Sequence, residues 1–139
     1  MLLKTKHFGE IEIDEEKIIT FEDGLLGFED IKKYVVIENP DEEVPFDWLQ
    51  SVDEPELTFV ITDPFLFNKE YEFNINDDLI NELEKENILV YTIAVVPDDI
   101  KNMTINLKAP IIVNTKDKKA KQMIIENNKY PLKYKIFEK

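Results

Sequence analysis

Few residues in this chain are of a type that could do covalent chemistry. Ser51 is the only serine, His7 the only histidine, and there is no cysteine. A serine triad needs a hydroxyl, an imidazole and an acid in register, and neither Ser51 nor His7 lies in a nucleophile-elbow pattern. Without cysteine, disulfides, thiolate catalysis and Cys-ligated zinc are excluded, and a single histidine cannot build a His-based metal site. One calcium-loop frame exists in NINDDLINELEK, where Asn74, Asn76 and Asp78 fall at the first, third and fifth ligand positions. It fails at the sixth, where the sharp turn needs glycine and Leu79 stands, and at the twelfth, where Lys85 replaces the bidentate glutamate. Gly24 and Gly27 in FEDGLLGFED lack GxGxxG spacing and a following Lys-Ser/Thr, and their flanks are acidic, so they form no phosphate loop. Paired carboxylates could in principle be drawn from 30 acidic residues, but abundance is not a constellation, and solvated surface acids are the plainer reading. No catalytic residue, metal or cofactor is expected, and the chain does not read as an enzyme.

Charge says more. The net charge is −13, and all 17 cations are lysine, with no arginine. An acidic surface without guanidinium groups is poorly suited to phosphate or base recognition, so no direct nucleic-acid binding is expected. The distribution is uneven: residues 1–100 carry 7 lysines against 27 acids, and residues 101–139 carry 10 against 3. Solubility alone accounts for an acidic surface. The functional reading is attraction of a basic partner to the acidic portion.

These residues must be positioned by a chain of 139 residues, which fits one domain spanning 1–139. The opening MLLKTKHFGE has no apolar h-region, and the apolar run from Ile88 to Pro97 is too short for a membrane span of about 18 residues. A soluble cytoplasmic protein, not associated with a membrane, is expected. The run from Ile88 is apolar on both alternating faces except at Thr92, which predicts a central strand covered on both sides. After the Pro97-Asp98-Asp99 turn come two further β-rich runs, Met103 to Leu107 and Ile111 to Val113, separated by Pro110 at a strand start or edge.

Earlier in the chain, Leu2 to Ile13 predicts two short strands meeting at Phe8-Gly9, and Lys17 to Phe21 is another short apolar run. Gly24 and Gly27 predict a tight loop through positive φ or close backbone approach. Phe28 to Lys33 is expected to form one helical turn before a strand from Tyr34 to Glu38. A proline-bearing acidic loop spans Asn39 to Asp47, and Leu57 to Thr62 is a strand closed by Asp63-Pro64. Phe65, Phe67, Tyr71 and Phe73 form an aromatic group expected in the core, the alternative being a partner-facing patch. A helix is predicted over 76–86, with Asn76 as N-cap and Lys85 in the last turn. Thr115 to Lys121 reads as a lysine-rich turn, and Gln122 to Glu126 and Leu132 to Phe137 as closing strands. Many short strands with one short helix predict a mainly β fold, a small barrel-like or sandwich single domain of mixed topology with mostly antiparallel strands.

Read in order, GLLGFED at 24–30, WLQSVDEPELTFVITDP at 48–64, VYTIAVVP at 90–97, NLKAP at 106–110 with IIVN after it, and AKQMII at 120–125 resemble FliW, the bacterial flagellar assembly factor family. The resemblance runs nearly end to end. It implies a small β-barrel-like binding protein that holds newly made flagellin in the cytoplasm. It also implies that the flagellin-free protein binds CsrA, the RNA-binding translational repressor, away from its RNA site, and so relieves repression of flagellin synthesis. Partner export and partner translation would then be linked. The sign of the charge agrees, since a repressor that holds RNA presents basic surface. Flagellin termini, disordered before assembly and apolar on one face, would need an apolar groove or an open strand edge. Candidate contacts are Leu25, Leu26 and Phe28 at the tip of the glycine loop, and Pro97, Asp98, Asp99, Met103, Asn106 and Pro110 in the stretch beyond the central strand; the alternative is that these residues plug the barrel ends. The alternative function is a carboxylate-based enzyme or small-ligand-binding barrel unrelated to flagella.

Overall fold

The computed structural model describes residues 1–73, 87–126 and 129–137. The helix predicted over 76–86 and the calcium-loop frame at 74–85 therefore lie outside the described residues. Among the described residues there are eleven strands: β1 (Leu2–Lys4), β2 (Glu10–Glu12), β3 (Ile19–Phe21), β4 (Lys33–Ile37), β5 (Asp47–Ser51), β6 (Thr58–Thr62), β7 (Ile88–Val95), β8 (Thr104–Ile105), β9 (Ile111–Asn114), β10 (Lys119–Gln122) and β11 (Tyr134–Lys135). Full 3-10 turns lie at Glu15–Lys17, Pro64–Leu66 and Ile100–Asn102. Each starts the same way. The carboxylates of Asp14, Asp63 and Asp99 accept the backbone N–H two residues on, which fixes the first turn without further helix.

Seven strands close into a ring in the order β7-β6-β5-β4-β3-β10-β9 and back to β7. Six of the seven pairs are antiparallel, and the closing pair, β3 with β10, is parallel through Thr20–Lys119 and Phe21–Ala120. Closure leaves no open edge in the ring. β8 and β11 branch outward from the upper part of β7, and β1 with β2 forms a separate hairpin. That hairpin turns at Gly9, whose φ of 63° suits glycine, and Thr5 N–H donates to the Gly9 carbonyl at 2.9 Å.

Alternation along the strands creates two cores. Ile19, Phe21, Tyr34, Leu49, Ile61, Ile111, Val113 and Ala120 point inward and fill the barrel, with Phe59, Tyr91 and Ile93 packed against them. Residues of opposite parity, Val60 and Ala94, face a second core of Tyr71, Met103, Ile105, Leu107, Ile125 and Tyr130 outside the ring. β7 is thus apolar on both faces because it separates two cores. Its cover stops short of its ends, however: Leu89, Val95 and Val96 are exposed. The aromatic group expected in the core is mostly there. Tyr71 is buried and touches Phe65, Phe73 and Tyr130 at 5.7, 5.2 and 4.6 Å between ring centres, and Phe67 stacks on Phe46 at 5.8 Å. Phe65 lies at its exposed margin.

Several expected elements differ. The segment expected as a helical turn, Phe28 to Lys33, turns only through Asp30 and enters β4 at Lys33; Phe28 N–H bonds back to the Leu25 carbonyl at 2.7 Å and Ile31 N–H to that of Phe28 at 3.1 Å. The lysine-rich stretch turns only as far as Lys118; from Lys119 it is β10, with Ala120 inward and the lysines outward. Beyond Gln122 the expected strand reduces to two bonds, Met123 N–H to Pro110 and Ile125 N–H to Lys108. The strands expected over 103–107 and 132–137 shorten to β8 and β11.

Candidate interaction surface

Except at the parallel β3–β10 pair, strand direction alternates around the ring, so half of its connections emerge at one end. The loop after β3, the β5–β6 turn, the β7–β8 connection, the turn before β9 and the C-terminal end of β10 all lie there. This end therefore gathers both stretches that hold the candidate contacts.

The glycine loop is built from the backbone outward. Gly24 N–H donates to the Phe21 carbonyl at 3.0 Å, and Gly24 adopts φ +66°. Its α-carbon lies so close to residue 29 that a β-carbon would fall 2.6 Å from the Cα and carbonyl oxygen of Glu29. Gly27, at φ +86°, donates to the Glu29 carboxylate at 3.0 Å. That N–H and residue 29's own hold the exposed Glu29 carboxyl below the usual carboxylate range, with Lys32 adding. Leu25 bridges to Phe28 and points into the barrel, only 1% exposed. Leu26 consequently points out, 52% exposed. Leu25 was expected as an apolar tip beside Leu26; it is a core residue instead. Phe28 is exposed on one side and rests edge-on against Phe59 at 5.4 Å on the other. Lys119 reaches Glu22 at 3.4 Å and Lys121 reaches Asp23 at 4.0 Å, exposed pairs worth at most about 1 kcal/mol each.

One contact was not foreseen from sequence. The Gln122 side chain accepts the Leu26 N–H at 2.9 Å and donates to the Ala109 carbonyl at 3.2 Å. It ties the glycine loop to the turn before β9. That turn is shaped by Asn106, half-buried, whose side-chain oxygen accepts the N–H groups of Lys108 and Ala109, both at 3.0 Å. Pro110 is buried, and its carbonyl accepts Met123 N–H at 2.9 Å. Met103 is also buried, in the second core. Pro97 is half-buried, while Asp98 and Asp99 are exposed, Asp99 using one carboxylate oxygen to cap the Ile100–Asn102 turn. Of the nine candidates, Leu26, Phe28, Asp98 and Asp99 thus face solvent, Pro97 and Asn106 do so in part, and Leu25, Met103 and Pro110 do not. Sequence reading passed over exposed apolar residues at the same end: Val95, Val96, Ile100 and Ile124. Acids surround them, with Glu22, Asp23, Glu29 and Asp30 on the glycine loop, Asp53, Glu54 and Glu56 on the β5–β6 turn, and Asp98 and Asp99 beyond β7.

Chemistry elsewhere is limited. Ser51 is fully buried and accepts Glu54 N–H at 2.9 Å, so its hydroxyl is a turn former out of reach of a substrate. His7 is exposed beside Phe8 and Trp48, with ring centres 6.5 Å away in both cases. At the opposite end of the barrel a cavity of about 300 Å³ is lined by Glu38, Glu42, Asp47, Asp63 and Tyr91. Burial, and then Asp47, Glu38 and Asp63, push the Tyr91 hydroxyl above the usual phenol range. Among the described residues no group of three or more His, Cys, Asp or Glu could hold a metal ion, and no helix is long and apolar enough to cross a membrane.

Comparison with known proteins identifies the architecture. The family model described as "FliW protein" matches residues 2–136. The flagellar assembly factor FliW of Alkaliphilus metalliredigens is 51% identical over 99% of this chain and 87% of its own length. The flagellar assembly factor FliW of Ruminiclostridium cellulolyticum is 44% identical over 99% of this chain and 95% of its own. A crystal structure of the flagellar assembly factor FliW superposes with a TM-score of 0.90 at 34% identity, covering 100% of this chain and 99% of that one. A closed seven-stranded barrel, a near full-length family match and this level of identity lead to one assignment: the chain belongs to the FliW family.

Proposed function

We propose that this chain is a non-enzymatic flagellar assembly factor that holds flagellin in the cytoplasm and, when flagellin-free, binds and antagonises CsrA. The observation that carries the reading is the barrel end just described. The glycine loop there leaves Leu26 and one side of Phe28 exposed, among Val95, Val96, Ile100 and Ile124 and a rim of acids. Apolar side chains held out at one end of a folded barrel suit capture of another chain's apolar face. The acids suit approach of a basic protein. By contrast, the barrel interior is filled with Phe21, Tyr34, Leu49, Ile61 and Ile111, which speaks against a small-ligand barrel.

Leu26 tests the apolar half of this proposal. Leu26→Asp should weaken flagellin binding by about tenfold or more, since burying an aspartate in an apolar contact costs more than the lost leucine area. Its melting temperature should stay within about 2 °C of the unaltered protein, because the residue makes no core contact. Unchanged flagellin affinity in a folded Leu26→Asp variant would remove the glycine loop from the binding surface.

A further inference from the structure

The Gln122 bridge has no evident role in closing the barrel. The backbone of β10 already pairs with β3 and β9, and Gln122 itself pairs with Ile111 through the main chain. Its side chain instead extends past the end of the strand, with its oxygen on Leu26 N–H at 2.9 Å and its nitrogen on the Ala109 carbonyl at 3.2 Å. Both atoms are engaged, which fixes the amide orientation, because a flipped amide would set like against like at both ends. Ile124 follows two residues later, just beyond the end of β10, and is exposed like Leu26. The ion pairs that flank the loop, Glu22–Lys119 and Asp23–Lys121, are exposed and weak. Of the contacts between the loop and β10, the Gln122 bond is the one that acts on Leu26 directly.

We infer that Gln122 is a positioning residue for partner capture: it holds the Leu26 backbone against the 106–110 turn, so that Leu26 and Ile124 meet the flagellin segment as one preformed apolar contact. This rests on the proposed flagellin binding and adds to it the residue that sets the contact's geometry. Preorganisation of this kind lowers the ordering cost of association, so its loss should appear mainly in the dissociation rate.

The test is a double-mutant cycle on flagellin binding with the full chain, using Gln122→Leu, Leu26→Ala and the combination, alongside amide hydrogen exchange of each free protein. Gln122→Leu should weaken binding about five- to tenfold, chiefly through faster dissociation, and should speed exchange at Leu26 N–H while core amides stay protected. In the Leu26→Ala background the same change should cost less than about twofold, because there is no longer a leucine to position. Equal losses in both backgrounds, or unchanged Leu26 exchange in Gln122→Leu, would overturn the positioning role while leaving the binding reading intact. Failure of the unaltered chain to bind flagellin would remove that reading and the positioning role with it. Should Gln122→Leu lower core protection as well, Gln122→Ala, which adds no apolar bulk, takes its place in the same cycle, with the same results deciding.

Discussion

Replacing Gly24 by alanine should unfold this protein more easily than the same change at Gly27, by an amount the geometry specifies. At Gly24 two costs combine. Alanine at φ +66° carries about 1–2 kcal/mol of backbone strain. Its β-carbon would also lie 2.6 Å from backbone atoms of Glu29, which cannot rotate away, adding about 1–3 kcal/mol. Against these, alanine restricts the unfolded chain and returns about 0.4–1 kcal/mol. The net loss is about 1.5–4 kcal/mol. For 139 residues the unfolding entropy near the midpoint is about 0.3 kcal/mol/K, so the melting temperature should fall by about 5–13 °C. At Gly27, φ is +86° and nothing lies within 4 Å of the would-be β-carbon, so only strain remains and the fall should be about 3 °C or less. Thermal unfolding followed by circular dichroism, with Trp48 fluorescence as a second probe, measures both. Equal destabilisation of the two variants would refute the claim that close approach to Glu29, rather than backbone conformation alone, selects glycine at position 24.

Other consequences follow from single contacts. Among the described residues the Tyr34 hydroxyl is buried without a hydrogen-bond partner, so Tyr34→Phe should raise the melting temperature by about 3 °C or more, worth about 1 kcal/mol or above. Burial pushes the Tyr34 hydroxyl up to about 12, and an unfolded tyrosine titrates near 10. Its contribution is therefore intact below pH 10 and lost as pH rises from about 10 through 12, because the unfolded chain releases the proton first, at about 1.4 kcal/mol per pH unit. Melting temperatures between pH 9 and 11.5 should fall less steeply in Tyr34→Phe than in the unaltered chain. Lys118 is the one described non-glycine residue with positive φ, at 57°, so Lys118→Gly should gain about 0.5–1 kcal/mol, a rise of about 2–3 °C in the same melts. If the acids of residues 1–100 steer capture, the association rate with CsrA should drop at least about fivefold between 0.05 and 0.5 M salt in stopped-flow mixing. A salt-independent rate would sink the steering idea.

What sequence made legible follows from how local each signal was. Glycine is scarce here, so Gly24 and Gly27 marked a real turn, and the run from Ile88 marked the strand that separates two cores. β5 escaped notice because Trp48-Leu49-Gln50-Ser51 offers no apolar alternation. Its polar members are nevertheless buried, Gln50 by donating to the carbonyls of Ser51, Pro55 and Leu57 and by accepting Lys6 N–H. The closing strand β10 escaped because three of its four residues are polar and only Ala120 faces the core; its parallel pairing with β3, 99 positions earlier at Phe21, carries no local signal. At the candidate surface, composition could not separate Leu25 from Leu26. A bridge between Leu25 and Phe28 decides which of the two turns inward. Gln122 gives no local sign of a contact, since its worth depends on a loop 96 residues away.

The most direct test of the proposed function is a calorimetric titration of this protein with purified CsrA, performed alone and again after saturation with flagellin. The expected result is heat of binding to CsrA that disappears once flagellin is bound, as a partner switch requires. Absence of heat with either protein would contradict the proposed function, and undiminished CsrA binding in the presence of saturating flagellin would contradict the switch.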